Sequence, residues 1–326
     1  MGIDVIVIVL IALFTGISGI NDGGNLVGTF LSSRVVSVRW LLPVLIISIA
    51  IGPVLFGTAV SHTIAVEVVN FQKAGMVILA VALFSALLTL LITWLLRVPS
   101  STTIALTGGM MGAALSDGYA QLIQWTGVLK VIGGMVGSVI IGFIVAYLIS
   151  RLVWRNLQDI KDGTNTKFAY LQYLTIALQG LAYGANDQEK AIGLTALYFL
   201  MIHHEQHYEV TVVAIVIPVL FWILGLFLGG ARIARTVNGH IMRLRTLQAI
   251  ATQFSAAITV VAAALAGLPV STTQTTDGCL FGMGAATESH KVRWITVRKL
   301  LLVWMLSFPG AIIIGYLSMS ILKIIN

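Results

Sequence analysis

The sequence has few charged residues and almost no cysteine. Asp, Glu, Lys and Arg make up 10% of its 326 residues, whereas 58% are hydrophobic. Soluble domains carry about 25% charged residues, and a chain this apolar cannot keep its hydrophobic surface away from water in a soluble fold. The single cysteine, Cys279, rules out an internal disulfide. The composition therefore predicts an integral membrane protein.

Basic residues outnumber acidic ones, with 19 Lys and Arg against 12 Asp and Glu. In a soluble protein the resulting net charge of +7 would suggest nucleic acid as a partner. Here the basic residues gather in short segments between apolar runs, where they report orientation in a membrane. We therefore expect contact with membrane lipid and none with nucleic acid.

Long apolar runs dominate what the sequence does contain. Each is close to the ~20 residues that a helix needs to cross the hydrocarbon core of a bilayer. Five of them lie at residues 41–60, 76–96, 128–149, 210–228 and 300–322. A sixth, at residues 3–20, lacks the basic start and the cleavage site of a signal peptide. We interpret all six as spanning helices of an all-α, multi-pass membrane protein.

Two polar motifs occur twice in this apolar chain. Pro-Ser-Ser-Thr-Thr at 99–103 returns as Pro-Val-Ser-Thr-Thr at 269–273, and the Asn-Asp pair at 21–22 returns at 186–187. Both motifs return after nearly the same interval, so each half of the chain is one repeat. We expect two transmembrane repeats and a cytoplasmic linker, at residues 1–150, 169–326 and 151–168.

Lys and Arg cluster in three parts of the chain, which the positive-inside rule assigns to the cytoplasm. The clusters are Arg151, Arg155, Lys161 and Lys167; Arg232, Arg235, Arg243 and Arg245; and Lys291, Arg293, Arg298 and Lys299. Segments 116–124 and 202–209 contain neither residue type and are expected outside. This topology places both termini outside the cytoplasmic membrane and inverts one repeat relative to the other, an arrangement suited to alternating access.

Both Pro-x-Ser-Thr-Thr motifs fall inside stretches, at residues 76–115 and 247–287, that must enter the membrane and return as hairpins. Proline interrupts a helix, and the Ser and Thr that follow are good N-caps for the next helix. That helix N-terminus offers N–H groups and the positive end of its dipole to a tetrahedral oxyanion. The expected anion ligands are Ser101, Thr102, Thr103, Ser271, Thr272 and Thr273. Ordinary caps in a loop between two spans, or hydroxyls bonded back within a kinked helix, are the alternatives.

Each Asn-Asp pair lies in an otherwise apolar segment beside glycine. Glycine lets a helix unwind, and freed carbonyls with carboxylate and amide oxygens form ligands for a cation such as Na⁺. An Asp at this depth is costly, and one that titrates would carry H⁺ instead. We expect the coupling ion at Asn21, Asp22, Asn186 and Asp187, with both Asp residues also contacting the anion. A Gly-rich surface loop with an Asp N-cap is the alternative.

Lys190 follows Asp187 by three residues, on the same helical face. It either neutralises that carboxylate as a structural pair or attracts the anion.

Further candidate site residues are Asn25, Ser100, Gln253 and Gln274. We expect no cofactor, because no Walker-type lysine accompanies the glycine pairs to bind a nucleotide, and no metal other than Na⁺. The Ser-Thr-Thr motifs contain no histidine to activate a nucleophile, so we do not expect an enzyme.

These motifs resemble those of the PiT family of inorganic phosphate transporters. The resemblance covers nearly the whole chain and includes the stretch from Gly229 to Gln253, and the short linker resembles that of prokaryotic members. It implies an inverted-repeat fold with broken hairpins, outside termini, and phosphate symport driven by Na⁺ or H⁺. It also implies that the Asn-Asp pairs bind ion and substrate and that the Ser-Thr-Thr residues bind phosphate.

Several positions depart from the commonest pattern of that family. Ile104 and Gln274 stand where many members have His after Ser-Thr-Thr, and Gln253 stands where many have Glu. Tyr183 replaces the usual His before the second Gly-x-Asn-Asp. The Asn-Asp-x-x-Lys form that ends at Lys190 resembles certain bacterial members, which leaves Na⁺ and H⁺ both open as the coupling ion.

The residues and the resemblance predict a secondary active transporter that imports inorganic phosphate by symport with Na⁺ or H⁺. Alternating access would occur around a site near the bilayer midplane. A permease for sulfate or another tetrahedral oxyanion is the nearest alternative, because sulfate has the same shape. An anion channel is the alternative from a different class and would need a continuous polar path. Monomer and homo-oligomer are both open.

Overall fold

The computed structural model describes residues 2–32, 36–95, 100–157, 166–205, 207–230 and 244–325. Helices of fourteen residues or more form the frame of this described part. In chain order they are α1 (Ile3–Ser32), α2 (Val38–Phe56), α3 (Met76–Leu95), α4 (Thr102–Ser116), α5 (Trp125–Leu157), α6 (Thr166–Tyr183), α7 (Glu189–Ile202), α8 (Val212–Gly225), α9 (Thr246–Leu265), α10 (Thr272–Thr287) and α11 (Trp294–Ile325). The predicted all-α fold is confirmed.

Six of these helices, α1, α2, α3, α5, α9 and α11, are long and apolar enough to cross a membrane. They include five of the six predicted runs. The run at 41–60 is cut short at Phe56, because Gly57 takes a left-handed φ of 81° that ends α2. The run at 210–228 forms only the fourteen-residue α8, which continues into a π-helical turn at Leu226–Gly230, so an α-helical span is not confirmed there.

Both predicted hairpins are present as pairs of helices; the predicted break at Pro99 lies outside the described residues, whereas that at Pro269 lies within them. Helices α3 and α4 pack against each other, as do α9 and α10. The Ser101 hydroxyl accepts the backbone N–H of Ile104 at 3.3 Å, and the Ser271 hydroxyl accepts that of Gln274 at 3.4 Å. The predicted N-caps are therefore confirmed, since each serine satisfies one of the unpaired N–H groups at a helix start.

The order of helices in the second half repeats that of the first. One constant offset along the chain relates the start of α3 at Met76 to that of α9 at Thr246, and the start of α4 at Thr102 to that of α10 at Thr272. The halves also interlock. Helix α4 packs on α11 and α10 on α5, while α1 packs on α8 and α6 on α2. Each hairpin is thus covered by the last long helix of the other half.

The helices do not unwind at the Asn-Asp pairs, contrary to the sequence prediction. Helix α1 runs unbroken through its pair, and the second pair lies in a π-helical turn, Gly184–Gln188, between α6 and α7. The glycines serve close packing instead. A methyl group on Gly19 would collide with the Trp222 carbonyl oxygen, and one on Gly184 would collide with that of Ile49. Both pairs are therefore carried on packed helices rather than on surface loops.

Ion pairs show which loops share an end of the molecule. Glu288 contacts both Arg245 and Lys291, so one residue from each of two basic clusters lies at the same end; Arg232, Arg235 and Arg243 lie outside the described residues. Lys323, near the end of α11, forms an ion pair with Asp117 at 2.7 Å. The C-terminal end of the chain therefore lies beside segment 116–124, as the predicted topology requires. The assignment of either end to one side of the membrane stays a prediction, as do the repeat and linker boundaries.

Candidate functional site

The two hairpin breaks meet inside the protein. The Thr103 hydroxyl, at the start of α4, donates to the Val270 carbonyl in the second break at 2.9 Å. The Thr273 hydroxyl, at the start of α10, donates to Asp22 Oδ1 on α1 at 3.3 Å. All six predicted anion ligands are at most 9% exposed. The N-termini of two helices from opposite halves of the chain therefore lie side by side in a buried site.

Asp22 connects the two hairpins through its carboxylate. Its Oδ2 accepts hydroxyl hydrogens from Ser18 at 3.0 Å and from Thr102 at 3.1 Å. Its Oδ1 accepts from the Asn21 amide at 3.3 Å and from Thr273. The carboxylate is buried with only 2% of the residue exposed. Four uncharged groups therefore donate hydrogen bonds to this buried carboxylate, and they include one threonine from each hairpin.

Asp187 has a different set of partners. Lys190 Nζ lies 2.6 Å from Asp187 Oδ1 and also donates to the Val270 carbonyl at 2.9 Å. The Thr272 hydroxyl donates to Asp187 Oδ2. Both members of the ion pair are buried. The pairing between Lys190 and Asp187 considered from the sequence is thus present, one turn along the helix.

Asp22 and Asp187 each accept a threonine hydroxyl, but only Asp187 contacts an ammonium. Thr102 donates to Asp22 and Thr272 donates to Asp187, so the hydroxyl-to-carboxylate contact is built once in each half. The ammonium belongs to the second half only, because Asn25 follows Asp22 at the position where Lys190 follows Asp187. The Asn25 side chain lies outside the described residues.

Asn21 and Asn186 hold the backbone of the hairpin breaks. The Asn186 carbonyl oxygen accepts the Val270 N–H at 3.1 Å, and its amide donates to the Leu268 carbonyl at 3.1 Å. The Asn21 amide donates to the Ser100 carbonyl at 3.3 Å. The sequence suggests both side chains as ion ligands, whereas the structure engages them with the main chain. Their cation role stays a prediction.

The additional candidates fall in three places. The Ser100 hydroxyl, in the first break, accepts from Thr93 at 2.8 Å. Gln274 belongs to the first turn of α10, and its Nε2 is buried without a partner among the described residues. Gln253 is not joined to the two carboxylates. Its Oε1 accepts from Gln172 at 2.6 Å and from Thr175 at 3.1 Å, on α6.

Gln253 belongs to a buried polar seam that sequence reasoning missed. The seam consists of Gln172, Thr175, Gln179, Gln253 and Thr276, all at most 6% exposed. Hydrogen bonds form two groups within the seam, Gln253 with Gln172 and Thr175, and Gln179 with Thr276. The second group joins the site, because the Thr276 hydroxyl accepts from Gln179 at 3.2 Å and donates to the Thr272 carbonyl. The spacing of Gln172, Thr175 and Gln179 on one helical face was the available signal. The matching positions in the first half are the apolar Val7, Leu10, Phe14, Leu83 and Leu106.

The atoms around the two carboxylates that could coordinate a cation are oxygens. Within the described ranges, no three His, Cys, Asp or Glu side chains gather as a transition-metal site requires. Carboxylate, hydroxyl and backbone carbonyl oxygens surround Asp22 and Asp187. Such oxygens suit hard cations and suit H⁺ on a carboxylate.

Comparison with known proteins places this arrangement in a family. The sequence profile of the phosphate transporter family, PHO4, matches residues 18–165 and 155–315. The chain belongs to this family, the PiT phosphate transporters. The resemblance seen in the motifs is therefore confirmed.

Relatives of this PiT protein align along nearly the whole chain. A probable low-affinity inorganic phosphate transporter of Rhizobium meliloti (strain 1021) is 30% identical over 95% of this chain and 94% of its own length. A protein of the same description from Bacillus subtilis (strain 168) is 30% identical over 98% of this chain and 97% of its own. A solved structure, "The sodium-dependent phosphate transporter", is 22% identical and matches all of both chains with a TM-score of 0.85. That likeness shows a shared fold.

Proposed function

We propose that this protein imports inorganic phosphate across the cytoplasmic membrane as a secondary active transporter, by symport with Na⁺ or H⁺. The observation that carries the proposal is the position of Asp22, whose carboxylate accepts hydroxyls from both hairpins, Thr102 and Thr273. A tetrahedral anion needs donors from several directions, and two adjacent helix N-termini supply them. Membership of the family and the names of its relatives support the same substrate.

The carboxylates and the anion draw on the same donors. Thr102 and Thr273 donate to Asp22, and Thr272 donates to Asp187. A hydroxyl has one hydrogen to give, so a threonine held by a carboxylate cannot also donate to phosphate. A cation or proton on Asp22 weakens its hold on these hydroxyls and reduces its repulsion of the anion. Cation and phosphate therefore favour each other's binding, which is the physical basis of symport.

The same carboxylates favour phosphate over sulfate. Phosphate carries at least one proton at neutral pH and can donate it to Asp22 or Asp187, whereas sulfate has no proton to donate. A buried carboxylate facing sulfate would therefore add repulsion without a compensating hydrogen bond. Sulfate is accordingly the competitor to use in a specificity assay.

Alternating access is proposed to move the two halves around this site, with one repeat inverted relative to the other. We propose that the polar seam leads from the site toward the first turns of α6, which begins at Thr166 within the predicted linker. If that linker is cytoplasmic, the seam is the path by which phosphate leaves toward the cell interior. We infer that the first half of the chain provides no equivalent polar path toward the opposite membrane face, because its positions that match the seam are apolar. A channel would need a continuous polar path, so this favours a carrier.

Uptake of labelled phosphate into proteoliposomes tests the proposal. Na⁺ and H⁺ gradients are imposed separately, and accumulation above equilibrium under one of them is expected. Excess unlabelled phosphate should compete and excess sulfate should not. Failure of the wild-type protein to accumulate phosphate under either gradient would refute the proposed function.

Asp22→Asn is the decisive variant, because it removes the charge and keeps the size of the side chain. We expect gradient-driven uptake to fall nearly to background while the protein stays folded, since the amide holds neither Na⁺ nor H⁺ as a carboxylate does. Asp117→Asn is the matched control, because that carboxylate belongs to a peripheral ion pair with Lys323. Wild-type rates in Asp22→Asn would remove the acid from the mechanism.

A further inference from the structure

Lys190 is a charged amine that the phosphate mechanism described above does not use. Only 1% of the residue is exposed. Its Nζ lies 2.6 Å from Asp187 Oδ1 and 2.9 Å from the Val270 carbonyl oxygen. A buried ammonium is costly unless its charge is matched and its hydrogens are accepted. These two oxygens supply both the opposite charge and the acceptors.

The oxygens around this ammonium are those that a small monovalent cation would take. One comes from a carboxylate, and the other is a backbone carbonyl at a helix break, directly before the N-cap Ser271. Carboxylates and carbonyls freed at broken helices are the usual ligands of Na⁺ in transporters with inverted repeats. The Lys190 ammonium therefore contacts two oxygens of the kind that would also suit a monovalent cation.

The other half of the site has no matching lysine. Asn25 takes that position, since it follows Asp22 at the same spacing as Lys190 follows Asp187. Asp22 receives its hydrogen bonds from neutral groups, such as Ser18. Lys190 thus contacts Asp187 directly, while Asp22 makes its direct contacts with neutral donors and feels the Lys190 charge only from a distance. With two carboxylates and one ammonium, the set keeps one uncompensated negative charge.

We propose that Lys190 is a tethered counter-cation that replaces one coupling cation in the second half of the site. The transport cycle then carries an exchangeable Na⁺ or H⁺ at Asp22 alone. The inference rests on the proposed cation-coupled phosphate symport and specifies its stoichiometry. It predicts that removal of the ammonium creates a second cation requirement at Asp187, whereas a purely structural ion pair would lose stability without any change in cation dependence.

The test replaces Lys190 by the residue found at the matching position. Initial rates of labelled phosphate uptake are measured in proteoliposomes over a series of external NaCl concentrations, with choline chloride keeping the ionic strength constant. We expect Lys190→Asn to take up phosphate roughly tenfold more slowly than wild type at the low-Na⁺ end of the series, because a buried carboxylate is left uncompensated. High Na⁺ should restore most of that loss, and one more positive charge should enter with each phosphate.

Lys323→Asn is the matched control, since it breaks an exposed ion pair by the same substitution. It should keep the wild-type cation dependence. Lys190→Gln, a longer neutral side chain, should behave as Lys190→Asn does. Uptake by folded Lys190→Asn and Lys190→Gln with the wild-type cation dependence and charge per phosphate would overturn the proposal.

Thermal unfolding of the purified proteins separates this inference from the proposed function. NaCl should stabilise Lys190→Asn more than choline chloride of equal ionic strength does, and this difference should be larger than in the wild type. The measurement needs no transport, so it decides the role of Lys190 even if phosphate is not the substrate. An equal effect of Na⁺ on both proteins would count against a new cation site.

Discussion

Asn186→Ala should destabilise the protein more than the same change at Asn21, although the two residues occupy matching positions in the repeats. Asn186 is fully buried and makes two hydrogen bonds to the second hairpin break, accepting from Val270 and donating to Leu268. Asn21 is only partly buried and makes one such bond, to the Ser100 carbonyl at 3.3 Å. The comparison therefore holds the substitution constant and varies the number of main-chain groups left without a partner.

The expected magnitudes follow from the cost of an unsatisfied polar group. Each buried donor or acceptor left without a partner costs about 1–3 kcal/mol. Asn186→Ala orphans the N–H of Val270, which is fully buried, and the carbonyl of the partly exposed Leu268. We expect a loss of about 2–4 kcal/mol in the free energy of unfolding. Asn21→Ala should cost about 1 kcal/mol, because water can reach a partly buried position and Asp22 keeps three of its four donors.

Thermal unfolding in detergent, followed by tryptophan fluorescence in Na⁺-free choline buffer, measures the difference. Asn186→Ala should unfold at a clearly lower temperature than Asn21→Ala, and both should unfold below the wild type. An unchanged unfolding temperature for Asn186→Ala, combined with loss of stabilisation by added Na⁺, would refute the reasoning. That result would make Asn186 a cation ligand, as the sequence alone suggests, rather than a support for the hairpin break.

Two further predictions concern helix packing and orientation. Gly184→Ala should strongly reduce stability in the same unfolding assay, because its methyl group would collide with a carbonyl oxygen of α2, whereas Gly133→Ala meets no atom within 4 Å and should be neutral; equal effects would discount the close contact. Cysteines at Gln121 and Ser289, in matching loops of the two halves, should react with an impermeant thiol reagent from outside and from the cytoplasm respectively, while the native Cys279 is buried. Labelling of both from one side would exclude inverted repeats.

Local chemistry explains which site features could be predicted from the sequence. A serine after a helix break caps the next helix by accepting one of that helix's free N–H groups with its hydroxyl. The capping roles of Ser101 and Ser271 therefore depend on three neighbouring residues and were correctly expected. The link between Asp187 and Lys190 is equally local, since residues three apart lie on one helical face. Composition and run length, which need no partner, predicted the membrane-embedded helical class.

The glycines beside the Asn-Asp pairs show where local reasoning fails. The absence of a side chain permits both an unwound helix and a close helix contact, and only the neighbouring element decides between them. Gly19 faces the main chain of Trp222, and Gly184 faces that of Ile49. The prediction of unwinding was therefore wrong.

The sequence by itself determined that this is a duplicated, helical membrane protein with capped hairpin breaks and acids in an apolar setting. Tertiary structure alone decided that Thr273 reaches Asp22, across 251 positions of the chain, and that Asn186 engages a hairpin break rather than standing free. It also decided that Gln253, on α9, bonds to Gln172 and Thr175 of α6 instead of lying beside the carboxylates. The physical reason is that capping and helical spacing are set within one turn, whereas these contacts depend on how the two halves interlock.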